Sequence, residues 1–405
     1  MSRRPPLPPG PYLVVGMARS GVAALHTLRA LGETAIGVDA GHPDVALGGV
    51  HLDHDGLALL DDVAAVVKSP GVPPRAPVIA AARRRDIPVL GELELAWRLL
   101  PNRFLAVTGT NGKTTTVELI GHVYREAGIP AVVAGNVGTP LSSLVGELRP
   151  GTLVVCEASS YQLADAPAFA PETAVLLNIR PDHEAWHGSF EAYRAAKLGL
   201  FAHQRPEDVA IADPGQELPG TARRLPPADL TGWDVGLRGE HNRANAAFAA
   251  AACLADGVPE EAVRAGLRTF GGVEHRLEEL GEIDGVLYVN DSKATNDDST
   301  LTALAAFADR RVHLILGGEA KGTDHEALRT AAAACAGVYL IGRDGRSLAD
   351  GRWCETLERA VEAAATAAAS GDVLMLSPAC ASFDQYTDYE ERGRRFKELF
   401  ARRRT

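Results

Sequence analysis

FLAVTGTNGKTTT, residues 104–116, passes from an apolar run into a glycine-rich turn and then into hydroxyl side chains. Phe104 to Val107 is the kind of short apolar segment that makes a buried parallel strand. Gly109 and Gly112 let the backbone turn its N–H groups inward, and Lys113 can reach the outer phosphates of a nucleotide. Thr114 and Thr115 open a helix that continues through Val117, Leu119, Ile120 and Val123, with Thr114 offering a hydroxyl to Mg²⁺. The spacing is a variant, because the general nucleotide loop has a glycine where this chain has Val107. A bare Gly-Lys-Thr also occurs in ordinary strand-to-helix turns; the longer string with Thr110 and Asn111 separates the two readings.

A chain of 405 residues is too long for one ordinary core, and three domains are expected: 1–98, 99–272 and 273–405. The formal charge of -11 argues against a phosphate-tracking nucleic-acid surface. No apolar run is long enough for a membrane span. The five cysteines are scattered without CxxC spacing, so neither zinc nor a disulfide framework is indicated, and a reducing cytoplasm is expected. The Pro-rich start, MSRRPPLPPGP, has no apolar core behind it and reads as a frayed lead rather than a signal peptide. Of 41 basic residues only six are lysines (Lys68, Lys113, Lys197, Lys293, Lys321 and Lys397). Where a solvated positive charge is enough this chain uses Arg, so a lysine inside a motif points to chemistry that a guanidinium cannot perform.

The first domain opens with a β-like run, Tyr12 to Gly16, then Ala18, Ser20 and Gly21, then a helix through Val22, Leu25, Leu28 and Leu31. A second run, Ala35 to Val38, ends in Asp39, where a ribose-binding acid sits in nucleotide-binding βαβ units. The fingerprint is degenerate, since its middle glycine is Ala18; a plain α/β layer with tight turns is the bland alternative. Ala64 to Val67 leads into KSPGVPP, 68–74, whose prolines fix an extended turn at a strand's C-terminal end.

In the central domain Ala131 to Ala134 precedes GNVGTP, 135–140, and Leu153 to Cys156 ends in Glu157. A carboxylate at a buried strand tip near the phosphate loop is well placed to hold Mg²⁺. A further strand, Ala174 to Ile179, runs into Asp182 and His183, and YRAAK puts Lys197 on a helix. GEHNRANAAFAAAA, 239–252, starts a helix with Asn242 and Asn245 on one face. In the third domain Val286–Val289, Val312–Leu316, Val338–Ile341 and Val373–Leu376 alternate with helical stretches, which predicts another doubly wound parallel sheet. Three of its strand ends carry polar strings: NDSKATNDDST from Asn290, GGEAKGTD from Gly317 and LSPACASFDQYTDYEERG from Leu376.

These strings together resemble the Mur ligase and folylpolyglutamate synthetase superfamily, whose members use ATP to join an amino acid to a carboxylate. The resemblance implies an α/β chain of three domains: a Rossmann-like N-terminal domain for a UDP-linked substrate, a central P-loop ATPase-like domain, and a Rossmann-like C-terminal domain for the amino acid. It implies that Gly109, Thr110, Asn111, Gly112, Lys113, Thr114, Thr115, Asn242, Asn245, Arg276, Asp291 and Lys293 bind ATP, with Lys113, Lys197, His183 and Arg276 catalytic. Thr114, Glu157, His183 and Lys197 would serve two Mg²⁺ ions, Lys197 as a carbamate made with CO₂.

On the substrate side the resemblance implies Gly16, Ser20, Asp39, Ser69, Gly71 and Asn136 for the UDP-linked acid, and Thr295, Lys321, Ser382, Phe383 and Tyr389 for the amino acid. The Ser-Pro-Ala-Cys-Ala-Ser string resembles the branch that adds D-glutamate to UDP-N-acetylmuramoyl-L-alanine in peptidoglycan biosynthesis. A cytoplasmic monomer acting on small molecules is implied, with closure of the third domain on the centre. A sibling ligase that adds another amino acid or extends folate with glutamate, and a nucleotide-dependent binding protein or simple ATPase, stand as alternatives; a dehydrogenase is disfavoured by Ala18 and by the second nucleotide loop.

Overall fold

The computed structural model of the chain describes residues 4–45, 47–320 and 325–404. They form two compact units: Met1–Asp234 with Ala244–Arg268, and Val235–Arg243 with Thr269–Thr405.

The first unit holds two parallel sheets. One has the strand order Val50–His51, Ala35–Val38, Tyr12–Val15, Ala65–Lys68, Val89–Gly91. Chain order reverses direction between Tyr12–Val15 and Ala65–Lys68, which opens a crevice beyond their C-terminal ends. Gly21 is required here, because a Cβ on it would stand 1.8 Å from the Gly16 carbonyl oxygen.

The other sheet has six strands, in the order Arg223–Leu225, Val209–Ile211, Thr173–Leu176, Phe104–Thr108, Leu153–Glu157, Ala131–Gly135. Phe104–Thr108 is central and every residue in it is buried, as its uninterrupted apolar run dictates. The helix Glu92–Leu99 lays Leu93, Ala96 and Trp97 into this sheet's core, with the Trp97 ring edge-on to Phe169 at 5.6 Å. The strand expected over 174–179 ends instead at Leu176. Beyond it Asn178 turns its backbone and side chain onto the phosphate loop, so those groups are taken from the ladder.

The second unit carries one sheet, in the order Glu278–Ile283, Val286–Asn290, Val373–Leu376, Val312–Gly317, Gly337–Ile341, Arg352–Glu355. It is not wholly parallel as expected: Glu278–Ile283 pairs antiparallel with Val286–Asn290. The cause is local. Asp284 and Gly285 have φ of 52° and 76°, and positive φ at both central residues is the tight hairpin turn that an Asp-Gly pair favours. Val289, Leu314, Leu316, Val373 and Met375 fill one face of this sheet and Ile315, Leu374, Leu376 and Phe396 the other.

Among the described residues no helix is long and apolar enough to cross a membrane.

Candidate active site

The helix Lys113–Glu126 begins directly at the end of the glycine turn, so its positive dipole end faces the space where an anion would lie. Gly112 makes the turn possible at φ 86°, and a Cβ there would fall 2.3 Å from Asn245 Oδ1. Thr114 and Thr115 are buried. The Lys113 ammonium is folded onto the loop, donating to the Gly109 and Thr110 carbonyls at 2.9 Å each. Asn178, to which sequence reasoning gave no role, clamps the loop from just past the neighbouring strand Thr173–Leu176. Its carbonyl accepts from Thr110 N at 2.9 Å, and its side chain exchanges bonds with the Asn111 N–H and carbonyl at 2.9 and 3.1 Å. Thr110 Oγ1 is 2.8 Å from the Tyr193 hydroxyl.

Glu157 sits beside this loop because Val107 and Glu157 are register partners on adjacent strands. Its carboxylate is buried: Oε1 accepts from Asn136 Nδ2 at 2.9 Å, and Oε2 has no hydrogen-bond partner among the described residues. A buried carboxylate oxygen left open is costly unless a cation completes it. Among the described residues no group of three or more His, Cys, Asp or Glu side chains is assembled for a metal. One open carboxylate beside the phosphate loop suits Mg²⁺, which keeps waters and phosphate oxygens as its other ligands.

Lys197, on the helix Phe190–Ala202, is buried, donates to the Gly109 carbonyl at 2.6 Å, and lies 4.7 Å from the Tyr193 ring centre. Burial pushes its pKa down to about 6, Lys113 adds to the push, and Asp182 and Glu157 oppose it. His183 has a φ of 54° and Nε2 3.4 Å from Asp182 Oδ2, with its ring 4.9 Å from that of Tyr161.

Beside Glu157 lies a cavity of about 680 Å³, lined among others by Gly16, Ser20, Asp39, Ser69, Gly71 and Asn136. All the substrate residues expected in the first two domains thus face one space. Ser69 Oγ donates to the Gly16 carbonyl at 2.7 Å, and Asp39 accepts from Met17 N at 2.6 Å and Gly41 N at 2.8 Å. Arg19, which the sequence reading missed, also lines the cavity and donates to the Gly138 carbonyl at 2.7 Å. A basic residue opening the helix after a glycine turn was the available signal.

In the second unit Asp291 follows the strand Val286–Asn290 and is buried, accepting from Ser377 Oγ at 2.7 Å and Leu277 N at 3.1 Å. Burial raises its pKa to about 7 against the pull of Ser377 and Arg276. Arg276 also helps hold His241 below its ordinary pKa, behind the larger effect of burial. Lys293 Nζ stands 5.6 Å from the Tyr389 ring centre. Asn242 Nδ2 donates to the Arg238 carbonyl at 2.8 Å. Thr295 precedes Asn296, the cap of the helix Asp297–Ala306. Ser382 is buried, whereas Phe383 is 69% exposed. Lys321 lies outside the described residues.

Fold and loop together define a multi-domain α/β protein of the phosphate-loop class. Its central residues 107–225 match the Mur ligase middle domain and residues 275–380 the Mur ligase glutamate ligase domain. The chain belongs to the Mur ligase family. It is 38% identical to the UDP-N-acetylmuramoylalanine–D-glutamate ligase of Pelotomaculum thermopropionicum, over 96% of each chain. Against that of Rubrobacter xylanophilus it is 40% identical, over 97% of this chain and 98% of the relative. Among solved structures it is similar in fold to the MurF ligase of Thermotoga maritima in complex with ADP, with a TM-score of 0.62, 17% identity, and coverage of 98% of this chain and 95% of the other. Escherichia coli FolC in complex with DHPP and ADP gives 0.60 at 20% identity, covering 76% of this chain and 92% of that one.

Proposed function

We propose that this chain is an ATP-dependent ligase that adds D-glutamate to UDP-N-acetylmuramoyl-L-alanine in cytoplasmic peptidoglycan precursor synthesis, acting as a monomer on small molecules. The observation that carries it is likeness along nearly the whole chain to relatives named for that reaction. The three expected domains then divide the work: 1–98 takes the UDP-linked acid, 99–272 takes ATP, and 273–405 takes the amino acid.

A carboxylate does not condense with an amine in water without activation. The substrate carboxylate attacks the γ-phosphate, ADP leaves, and an acyl phosphate forms. The amine of D-glutamate, having lost a proton, attacks the acyl carbon and expels phosphate. Residues 109–115 cradle the phosphates, and Asn242, Asn245, Asp291 and Lys293 complete nucleotide binding. Lys113 and Arg276 stabilise charge moving through the transfer.

Arg19 has the chemistry to meet the diphosphate of the UDP-linked substrate, alongside Gly16, Ser20, Asp39, Ser69, Gly71 and Asn136. Thr295, Lys321, Ser382, Phe383 and Tyr389 receive D-glutamate. When bound, Mg²⁺ on Thr114, Glu157 and His183 supplies neutralisation of phosphate charge. The lowered pKa of Lys197 suits carbamylation, because CO₂ adds to a neutral amine, which releases a proton and becomes an anion able to serve a second ion.

The test is phosphate release with ATP, UDP-N-acetylmuramoyl-L-alanine and a panel of D- and L-amino acids. Release is expected with D-glutamate and only when both organic substrates are present. Release without them, or with another amino acid in preference, overturns the reading.

A further inference from the structure

Lys68 is one of the six lysines, and none of the roles above uses it. It ends the strand Ala65–Lys68, opens the turn that walls the cavity, and is wholly buried. Its ammonium stands 2.8 Å from Asp165 Oδ2, donates to the carbonyls of Val72 at 2.6 Å and Ser69 at 3.4 Å, and lies 5.3 Å from the Trp186 ring centre. Two carbonyls thus accept from the ammonium, and the Asp165 carboxylate faces it as an ion partner.

Asp165 is buried as well, and its other oxygen is 2.9 Å from Arg83. It follows the helix Ser160–Leu163, whose Gln162 lines the cavity, and Trp186 belongs to the helix Glu184–His187 just after His183. One side chain therefore ties the turn 69–72 to the segments that follow Glu157 and His183. Burial pushes the Lys68 pKa down, and Asp165 opposes that push.

Stability does not explain the arrangement. The desolvation of two buried charges offsets much of their attraction, and a well-packed apolar pair of similar volume is often as stable. Such a pair does fix geometry. We propose that Lys68, paired with Asp165, is a positioning residue for the UDP-linked substrate, holding the turn 69–72 so that the cavity presents the substrate's carboxylate end toward the phosphate loop. This rests on the ligase reading of the cavity.

The test compares wild type with Lys68→Met, Lys68→Arg and the paired replacement Lys68→Met/Asp165→Leu, which leaves no buried charge orphaned and returns the half-exposed Arg83 to solvent. Displacing the turn is expected to raise KM for UDP-N-acetylmuramoyl-L-alanine about tenfold, with KM for ATP and D-glutamate within about twofold. Lys68→Arg should show the same split, because a longer, planar fork cannot sit where the compact ammonium meets two carbonyls and the Asp165 carboxylate. Where a single variant fails to fold, the paired one carries the test, with calorimetric binding of the UDP-linked substrate as its second readout. A folded paired variant with wild-type KM and affinity overturns the proposal, as does an equal rise in all three KM values. Wild-type chain that forms no product removes the ligase reading itself, and a wild-type chain that turns over while the variants keep its KM removes only the role of Lys68.

Discussion

Asn136 Nδ2 donates to Glu157 Oε1 at 2.9 Å, so the cavity that Asn136 lines and the carboxylate beside the phosphate loop share one hydrogen bond. This bond holds Oε1, while among the described residues Oε2 has no hydrogen-bond partner. In Glu157→Gln the anion is lost while the shape is kept. Phosphate release is expected to fall about 10²-fold or more, the usual scale for removing one fixed electrostatic stabiliser of a transition state. The Mg²⁺ concentration for half-maximal rate should rise, and the thermal midpoint should not fall, because an uncompensated buried charge has been removed. A Mg²⁺ titration that superimposes on wild type contradicts the assignment.

The buried amine of Lys197 makes a prediction with a definite sign in pH. Its folded pKa, about 6, lies below the ordinary 10.5, so between those values the unfolded chain holds a proton that the folded chain has released. Stability from this group therefore rises with pH across that window and is lowest at and below about pH 6. Without CO₂, Lys197→Met should melt above wild type at pH 6, and the gap should close toward pH 10. Catalysis goes the other way: Lys197→Ala should lose about 10²-fold or more of its turnover, part of which a short carboxylic acid restores by supplying the missing anion. Melting curves across pH and rescue assays check the two halves separately.

How much of this was legible in the sequence follows from how far apart the cooperating residues lie. The phosphate loop is contiguous, and Glu157 ends an apolar run, so strand tips could be read directly as site residues. Asp284 and Gly285 announced the hairpin that makes the third sheet mixed, but the apolar period of Val286–Val289 drew attention away from the polar strand Glu278–Ile283. Asn178 opens the Asn-x-x-x-Asp-His string that ends in His183, but it was read as part of a strand over 174–179, and its amide bonds to a distant loop left no local mark. Lys68 and Asp165 are far apart in the chain, and nothing local marks either as the other's partner.

Arg392 joins three strand ends of the second unit and is buried, with no carboxylate on its fork among the described residues. It donates to Ser292 Oγ at 3.0 Å, to the Ser292 carbonyl at 2.9 Å and to the Cys380 carbonyl at 3.0 Å, with longer bonds to Ala381 at 3.4 Å and Gly317 at 3.5 Å. Burial lowers its pKa to about 10, which still leaves it charged at neutral pH. These acceptors follow Val286–Asn290, close Val312–Gly317 and follow Val373–Leu376, so one planar group spaces the loops proposed to hold D-glutamate. Lysine cannot copy the fork, and Arg392→Lys would leave at least one buried carbonyl unpaired at about 1–3 kcal/mol each. The expected outcome is a loss of about 3 kcal/mol in denaturant unfolding. KM for D-glutamate should rise more than KM for the UDP-linked substrate. A variant with the wild-type unfolding midpoint and wild-type D-glutamate KM would show that the loops hold their spacing without the guanidinium.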